Sequence, residues 1–377
     1  MKLVFVDVGR LNYDAETPLN APLGGSQSAA VYLAAELAAL GVDVAYVNGV
    51  KAARVSRGVR FLDLDHIRAD ILNRFDAVIV LSAAVGIALR REVGVTKPMI
   101  LWNHHAPDQP AVQSLKQAEE RQAWTALAMV SEWQAEGYHR QLGVARDRMV
   151  VKRNAVAPAF LEIEPAEPWF LTGAPPVLVY TSTPFRGLDV LLTAFPTIRK
   201  SIPDVRLRVF SSMAVYQAAA EDDKYAVLYE LCRALPGAEY VGGVAQSTLA
   251  RELAGVAALA YPSTFAETSC IAVMEAMTAG AMILTTDLGA LSETAHGFGR
   301  LLPLKGNRLD VATAYAAMVV AELHAARERP QEAAARRAEQ TRFARSGCTW
   351  GARAVEWRNW LSALLKDGNQ PGIPAGN

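Results

Sequence analysis

The stretch TFAETSCIAVMEAMTAG, residues 264–280, sets two glutamates, Glu267 and Glu275, eight positions apart. Paired carboxylates invite a glycoside-hydrolysing reading, in which nucleophile and acid stand about 5–5.5 Å apart. Eight helical residues rise about 12 Å, so one helix does not bring these carboxyls to a shared bond. They suit two ends of one extended ligand instead. Between them TSCIAVM opens a predicted helix, with Thr268 or Ser269 as its cap and its first N–H groups free to receive an anion. Carboxylate, helix N-terminus, carboxylate complements polyol, diphosphate, polyol, which is the layout of a nucleotide-sugar. The competing structural reading makes Glu267 a helix cap and Glu275 part of a solvated face.

Two further elements could meet a diphosphate. In TSTPFRGLDVLLTAF, residues 181–195, a strand ends, Arg186-Gly187 makes a turn, and an amphipathic helix follows. A guanidinium there offers bidentate contact to phosphate; a surface arginine in a turn is the plainer reading. Pro22-Leu23-Gly24-Gly25-Ser26 precedes the first long helix. Its glycines let backbone approach a ligand closely and point N–H groups at it. Its position and spacing are not those of the dinucleotide fingerprint.

The elements that must hold these residues follow a strand–helix rhythm. LVFVDV (3–8), VDVAYVN (42–48), AVIVLS (77–82), PMILWN (98–103), TALAMVS (125–131) and RMVVKRN (148–154) read as strands. Apolar residues at 31, 34, 37, 38 and 40 mark an amphipathic helix that stops at Gly41. Five prolines between Pro158 and Pro176 interrupt the rhythm as a linker. It resumes with VLVYTS (177–182), RLRVFSS (206–212), AEYVGG (238–243), ALAYPS (258–263) and AMILTT (281–286). Apolar strands alternating with helices imply parallel sheets covered on both faces. The fold class is therefore α/β, with two Rossmann-like doubly wound domains. The N-terminal domain is expected at 1–163 and the C-terminal domain at 164–345. At 346–377 a helix with Trp350, Ala354, Trp357, Leu361 and Leu364 on one stripe is expected to pack back on the first domain, ahead of a frayed tail. Membrane-surface insertion is the alternative for that helix.

Composition narrows the function classes. A chain of 377 residues calls for two domains. Its 38 Lys+Arg equal its 38 Asp+Glu, and no basic–aromatic stripe is present, so nucleic acid is not an expected partner. Lys51, Arg54, Arg57 and Arg60 are read as a solvated loop, with a docking surface for a membrane or an anionic acceptor as the alternative. Three scattered cysteines, Cys232, Cys270 and Cys348, argue against a disulfide framework or a zinc site and suit a reducing cytoplasm. The N-terminus has no signal-peptide pattern and no apolar run approaches 18 residues. The expected location is cytoplasmic, with peripheral contact at the inner membrane face as a variant of it.

Taken together, these segments resemble the retaining glycosyltransferases of the GT-B fold, family 4, over nearly the whole chain. GGSQ (24–27) is similar to that family's N-terminal GG-[ST]-E loop. Ser131 and RNAVAPAF (153–160) resemble its passage into the linker, and FRGLDVLLTAF its phosphate segment. VGGVAQSTL followed by LAYPS resembles its base-binding turn and following strand. FAETSCIAVMEAMTAG matches the E-x7-E motif, and LGALSE (288–293) the GG-x-x-E stretch after it.

The resemblance implies roles. Glu267 would hold donor-sugar hydroxyls and Glu275 the ribose, with Arg186 in place of a phosphate-binding lysine. Gly24, Gly25, Ser26, Thr183, Gly243, Val244, Ser269, Cys270 and Ile271 would line the donor. A histidine beside the reacting sugar is expected from WNHHAPDQP, with His105 favoured over His104. The implied reaction moves a hexose from a UDP-, GDP- or ADP-sugar to the hydroxyl of a saccharide, lipid-linked or small-molecule acceptor. It retains anomeric configuration, in a cleft between the domains, and needs no cofactor. No Asp-x-Asp metal motif is picked out, so no divalent ion is expected. The alternatives are a GT-B sugar-nucleotide epimerase and a nucleotide-sugar-binding protein that has lost turnover. The chain departs from the family at Gln27, at Cys270, at Asn154-Ala155 and in one extra residue between Ser263 and Glu267. Thr181-Ser182-Thr183 stands where an arginine is usual, and those hydroxyls would supply neutral hydrogen bonds in its place.

Overall fold

The structure, a computed structural model, describes residues 1–217 and 222–367. The chain forms two compact units. The first comprises 1–16, 29–153 and the C-terminal segment from Trp350; the second comprises 17–28 and 154–349. The boundary expected at 163/164 therefore falls at 153/154, and the glycine loop at 22–26 is counted with the second unit.

In the first unit, β1 (Lys2–Asp7), β2 (Asp43–Asn48), β3 (Arg54–Ser56), β4 (Val59–Asp63), β5 (Ala77–Leu81), β6 (Met99–Trp102), β7 (Ala126–Met129) and β8 (Met149–Val151) make one sheet, in the order β3-β4-β2-β1-β5-β6-β7-β8. All pairings are parallel except β3 with β4. That pair corrects the loop reading of residues 51–60. Arg57 (φ 48°) and Gly58 (φ 79°) are both left-handed, the requirement of a two-residue hairpin turn whose twist matches its strands. Three of the four cations are also matched by acids: Lys51 by Asp65, Arg54 by Asp14 and Arg60 by Asp43. A docking surface built from that charge is thereby weakened.

The second unit holds β9 (Val177–Tyr180), β10 (Arg206–Val209), β11 (Ala238–Tyr240), β12 (Ala258–Tyr261), β13 (Met282–Thr286) and β14 (Arg300–Leu302), in the order β11-β10-β9-β12-β13-β14. Every pairing is parallel. β5 and β12 are buried along their whole length, as strands covered on both faces must be. In this sheet the chain runs outward from β9 to β11, then returns to the centre at β12 and runs the other way. The crevice beyond the carboxyl ends of β9 and β12 is thus a topological switch point, where open α/β sheets place ligands. The strand β14 is one that the sequence reading did not include.

The helix Trp350–Asp367 belongs to the first unit. Trp350, Ala354, Trp357 and Leu361 are buried there, with Trp350 beside Tyr32 and Trp357 edge-on to Trp102 at 5.0 Å. The tail expected to fray lies, from 368 onward, outside the described residues. The helix Arg308–Glu328 has the length and mean hydropathy of a membrane span, yet its Val311, Tyr315, Ala316, Val319 and Leu323 are buried in the second unit. Tyr315 donates to the Leu284 carbonyl of β13 at 2.7 Å.

Candidate active site

Arg186 lies just past β9, in a 3-10 turn (Pro184–Arg186) closed by Gly187 at φ 112°. A Cβ on Gly187 would stand 2.1 Å from the Pro262 carbonyl oxygen, so only glycine lets the β9 turn lie against the end of β12. Glu267 lies beyond β12. Its main chain forms an isolated bridge with Gly289, and its carbonyl accepts the Ala290 N–H at 2.6 Å. Gly289 is left-handed (φ 67°), and a Cβ there would meet Glu267 backbone atoms at 2.4 and 2.6 Å. The LGALSE segment thus braces the Glu267 backbone. Thr285 and Thr286 of β13 donate to the carbonyls of Tyr261 and Ser263, both at 2.6 Å, and fix the approach to that loop.

These supports bring Arg186 and Glu267 together. The Arg186 Nη1 donates to Glu267 Oε1 at 2.5 Å, with the two side chains 22% and 5% exposed. The guanidinium lies over the Phe265 ring at 4.4 Å and near that of Phe185 at 5.4 Å. Burial disfavours the Arg186 charge, but Glu267, with Tyr261 and Tyr216, outweighs it and raises the pKa. The cation is fixed in the charged form.

The helix Ile271–Thr278 starts beside this pair. Its N-cap is Cys270, whose side chain makes no capping bond, in place of the expected Thr268 or Ser269. The Cys270 thiol is buried, and burial followed by the Glu267 charge pushes its pKa well up, so it stays neutral and poorly nucleophilic. Glu275 lies inside the helix at 3% exposure, which removes the solvated-face reading. Its Oε1 has no hydrogen-bond partner among the described residues, and burial lifts its pKa to about 8. Such an orphaned acid is a candidate for ligand contact.

The glycine loop meets the same helix. A Cβ on Gly25 would touch Ile271 Cδ1 at 3.5 Å, and Gly25 and Ser26 open the helix Gly25–Ala39. The Gly24 N–H donates to the Val215 carbonyl at 3.1 Å. A Cβ on Gly243 would lie 3.2 Å from Ser212 and 3.3 Å from Pro22. Val244 and Ser269 are half-buried. Thr183 is buried; its carbonyl accepts from Tyr180 and the Arg186 N–H, while its Oγ1 has no partner among the described residues. Thr181 Oγ1, Ser211 Oγ, Gln246 Oε1 and Arg186 Nε share that condition. All follow the carboxyl ends of strands β9 to β11, a concentration of unused polar atoms where a polar ligand would bind. Tyr261, Ser211 and Gln246 were not singled out from sequence, although Tyr261 and Ser211 lie within predicted strands and Gln246 three residues beyond one.

The two histidines belong to the first unit. His104 packs on Trp102 at 5.2 Å. The His105 N–H donates to Asn103 Oδ1 at 2.6 Å, and its carbonyl accepts from Gln134 and Tyr138. Asn103 Oδ1 also lies 3.0 Å from His105 Nδ1 and accepts from Tyr138. That oxygen can only accept, so the Nδ1 carries the hydrogen and Nε2 presents a lone pair. Burial lowers the His105 pKa, with Asp7 opposing, so the ring is neutral at pH 7. The chain does contain one Asp-x-Asp stretch, Asp63-Leu64-Asp65, in the first unit. Asp63 accepts the Asp65 N–H and lies near His66, while Asp65 pairs with Arg10 and Lys51. Among the described residues no three His, Cys, Asp or Glu side chains gather as a metal site.

Residues 175–321 match the sequence model of the family described as glycosyl transferases group 1. No curated protein sequence matches the chain. Solved structures similar to it include the sucrose-phosphate synthase of Thermosynechococcus elongatus (15% identity, TM-score 0.70, 97% of this chain and 100% of that one). Anabaena HepE in complex with UDP-glucose is similar at 14% identity and TM-score 0.70, over 96% and 100%. WaaG, a glycosyltransferase involved in lipopolysaccharide biosynthesis, is similar at 14% and 0.63, over 96% and 99%. The fold is that of the GT-B glycosyltransferases, two parallel-sheet α/β units. The matched segment contains Arg186, Glu267 and Glu275.

Proposed function

We propose that the protein is a glycosyltransferase of family 4 type that moves a hexose from a nucleoside-diphosphate sugar to an acceptor hydroxyl with retention of configuration. One observation carries this reading. Around the start of one helix, at the switch point of one sheet, the second unit gathers a guanidinium, two carboxyls and several unused hydrogen-bonding atoms. HepE, similar in fold, is known with UDP-glucose and with UDP. In this reading Glu275 takes ribose hydroxyls and Glu267 takes sugar hydroxyls. Arg186, the amides opening the helix Ile271–Thr278 and those of Gly25 and Ser26 hold the diphosphate. Departure of that diphosphate from the anomeric carbon leaves an oxocarbenium-like sugar; the acceptor hydroxyl attacks on the face the diphosphate leaves and gives its proton to the departing diphosphate oxygen. Charge stabilisation on the leaving group is then the main catalytic task. In the first unit, His105 offers the lone pair of Nε2 as a hydrogen-bond acceptor. Cys232, Cys270 and Cys348 form no disulfide among the described residues, which fits a reducing compartment.

The test is a thermal-shift panel of UDP-, GDP- and ADP-sugars, since a ligand selective for the folded state raises Tm with its affinity. One base is expected to stand out, and transfer from that donor should survive EDTA. A flat panel removes the donor site. Loss of transfer in EDTA with recovery in Mn²⁺ removes the metal-independent mechanism.

A further inference from the structure

Tyr261 ends β12 and is fully buried, its ring tilted against that of Tyr180 at 5.6 Å. Its hydroxyl donates to Glu267 Oε1, the same oxygen that receives Arg186 Nη1. Ser182 Oγ lies 3.4 Å from that hydroxyl. The phenol proton is already given to the carboxylate, so Ser182 is the donor in that contact. Both of these donors thus sit on Oε1 and neither on Oε2.

We propose that Tyr261 is a positioning residue of the donor site, anchoring Glu267 through Oε1 so that Oε2 is left to the hydroxyls of the donor sugar. This rests on reading the site as one for a nucleotide-sugar. The two anchors behave differently when donor arrives. Arg186 is the more exposed of the pair, and a diphosphate offers it more negative charge than one carboxylate does. As its guanidinium turns to phosphate, Glu267 loses one of two holds. Tyr261 is buried, its hydroxyl set between Glu267 and Ser182, and keeps its hold through the exchange. The sugar then meets a carboxylate already oriented, which is how a small geometric constraint becomes rate.

Tyr261→Phe keeps the ring contact with Tyr180 and removes only the hydroxyl. Affinities for UDP and UDP-glucose, or for the pair with whichever base the thermal-shift panel selects, are measured alongside donor kcat/KM for wild type, Y261F, E267Q and the double variant. Y261F is expected to bind the free diphosphate within about twofold of wild type, while kcat/KM for the donor falls about 10- to 100-fold, the scale of one hydrogen bond to a charged group. Added to E267Q, it is expected to cost about twofold or less, because the two act through one contact. Unchanged kcat/KM in Y261F overturns the proposal. So does an equal loss of diphosphate and donor affinity with a fall in Tm, which marks a residue that only packs. A wild type that binds no nucleotide and no nucleotide-sugar overturns the reading of the site and this proposal with it.

Discussion

Arg186→Ala is expected to lower kcat about 100- to 1000-fold, the usual cost of deleting one preorganised group that stabilises charge in the transition state. Arg186 stands past β9 at the switch point, in a turn that Gly187 alone permits. Where the resembled family has a second cation, this chain has Thr181-Ser182-Thr183, which offers neutral bonds only. The burden on the one guanidinium is correspondingly large. Alanine also strips Glu267 of its cation while the carboxylate stays buried, 4% exposed. Breaking such a pair from one side costs about 3–5 kcal/mol, so a bare loss of activity could reflect folding. Two controls separate the effects. R186A/E267Q leaves no uncompensated charge and is expected to recover most of the Tm with no recovery of kcat. R186K keeps a charge but not the planar fork, and is expected to fall between wild type and alanine. Initial rates at saturating donor, with Tm for each variant, decide it; a near-normal kcat for R186A ends the assignment.

How far the molecule could be read from its sequence depended on range. β1, β5, β6, β9, β12 and β13 were legible because strands buried on both faces are unbroken apolar runs between turn residues. The pairing of Arg186 with Glu267 was legible only as two motifs; their 2.5 Å contact joins residues 81 positions apart. The burial of Glu275 is signalled by its neighbours. IAVMEAMT is apolar nearly all round, and such a helix is buried whole, so the one acid within it could not be on a solvated face. Cys270 as the cap depended on where the loop turns, which Gly289 and the Glu267 bridge decide from outside the segment. The hairpin at 54–63 was hidden by its cations, whose acid partners Asp14, Asp43 and Asp65 come from elsewhere in the unit. Tyr261 lay in plain view before Pro262-Ser263. Its use became visible only when its hydroxyl met Glu267.

Glu275→Gln is expected to make the protein more stable and the site worse, in proportions that pH controls. In the folded, unliganded protein burial holds the Glu275 pKa near 8, against an ordinary value of 4.5. The folded state therefore keeps a proton that the unfolded state releases. By linkage, stability from this group is full below about pH 4.5 and is lost as pH rises toward about 8. Each tenfold difference in proton affinity between the two states is worth about 1.4 kcal/mol, so the loss at pH 7 is on the order of 3 kcal/mol. Gln has no proton to lose, so E275Q should gain about that much at pH 7 and little at pH 5. For a unit of this size that is a Tm rise of roughly 6–12 °C at pH 7. Binding runs the other way. A carboxylate that accepts two ribose hydroxyls must first be ionised, so wild-type affinity for nucleoside diphosphate should rise roughly tenfold between pH 7 and pH 9 as the acid with pKa near 8 deprotonates. The ligand's own phosphate, which titrates near pH 6, is already ionised across that window. E275Q should bind weakly and without that slope. Tm and Kd taken at pH 5, 7 and 9 test both halves together. An equal Tm gain for E275Q at every pH contradicts the buried acid, and a flat wild-type Kd contradicts its contact with the nucleotide.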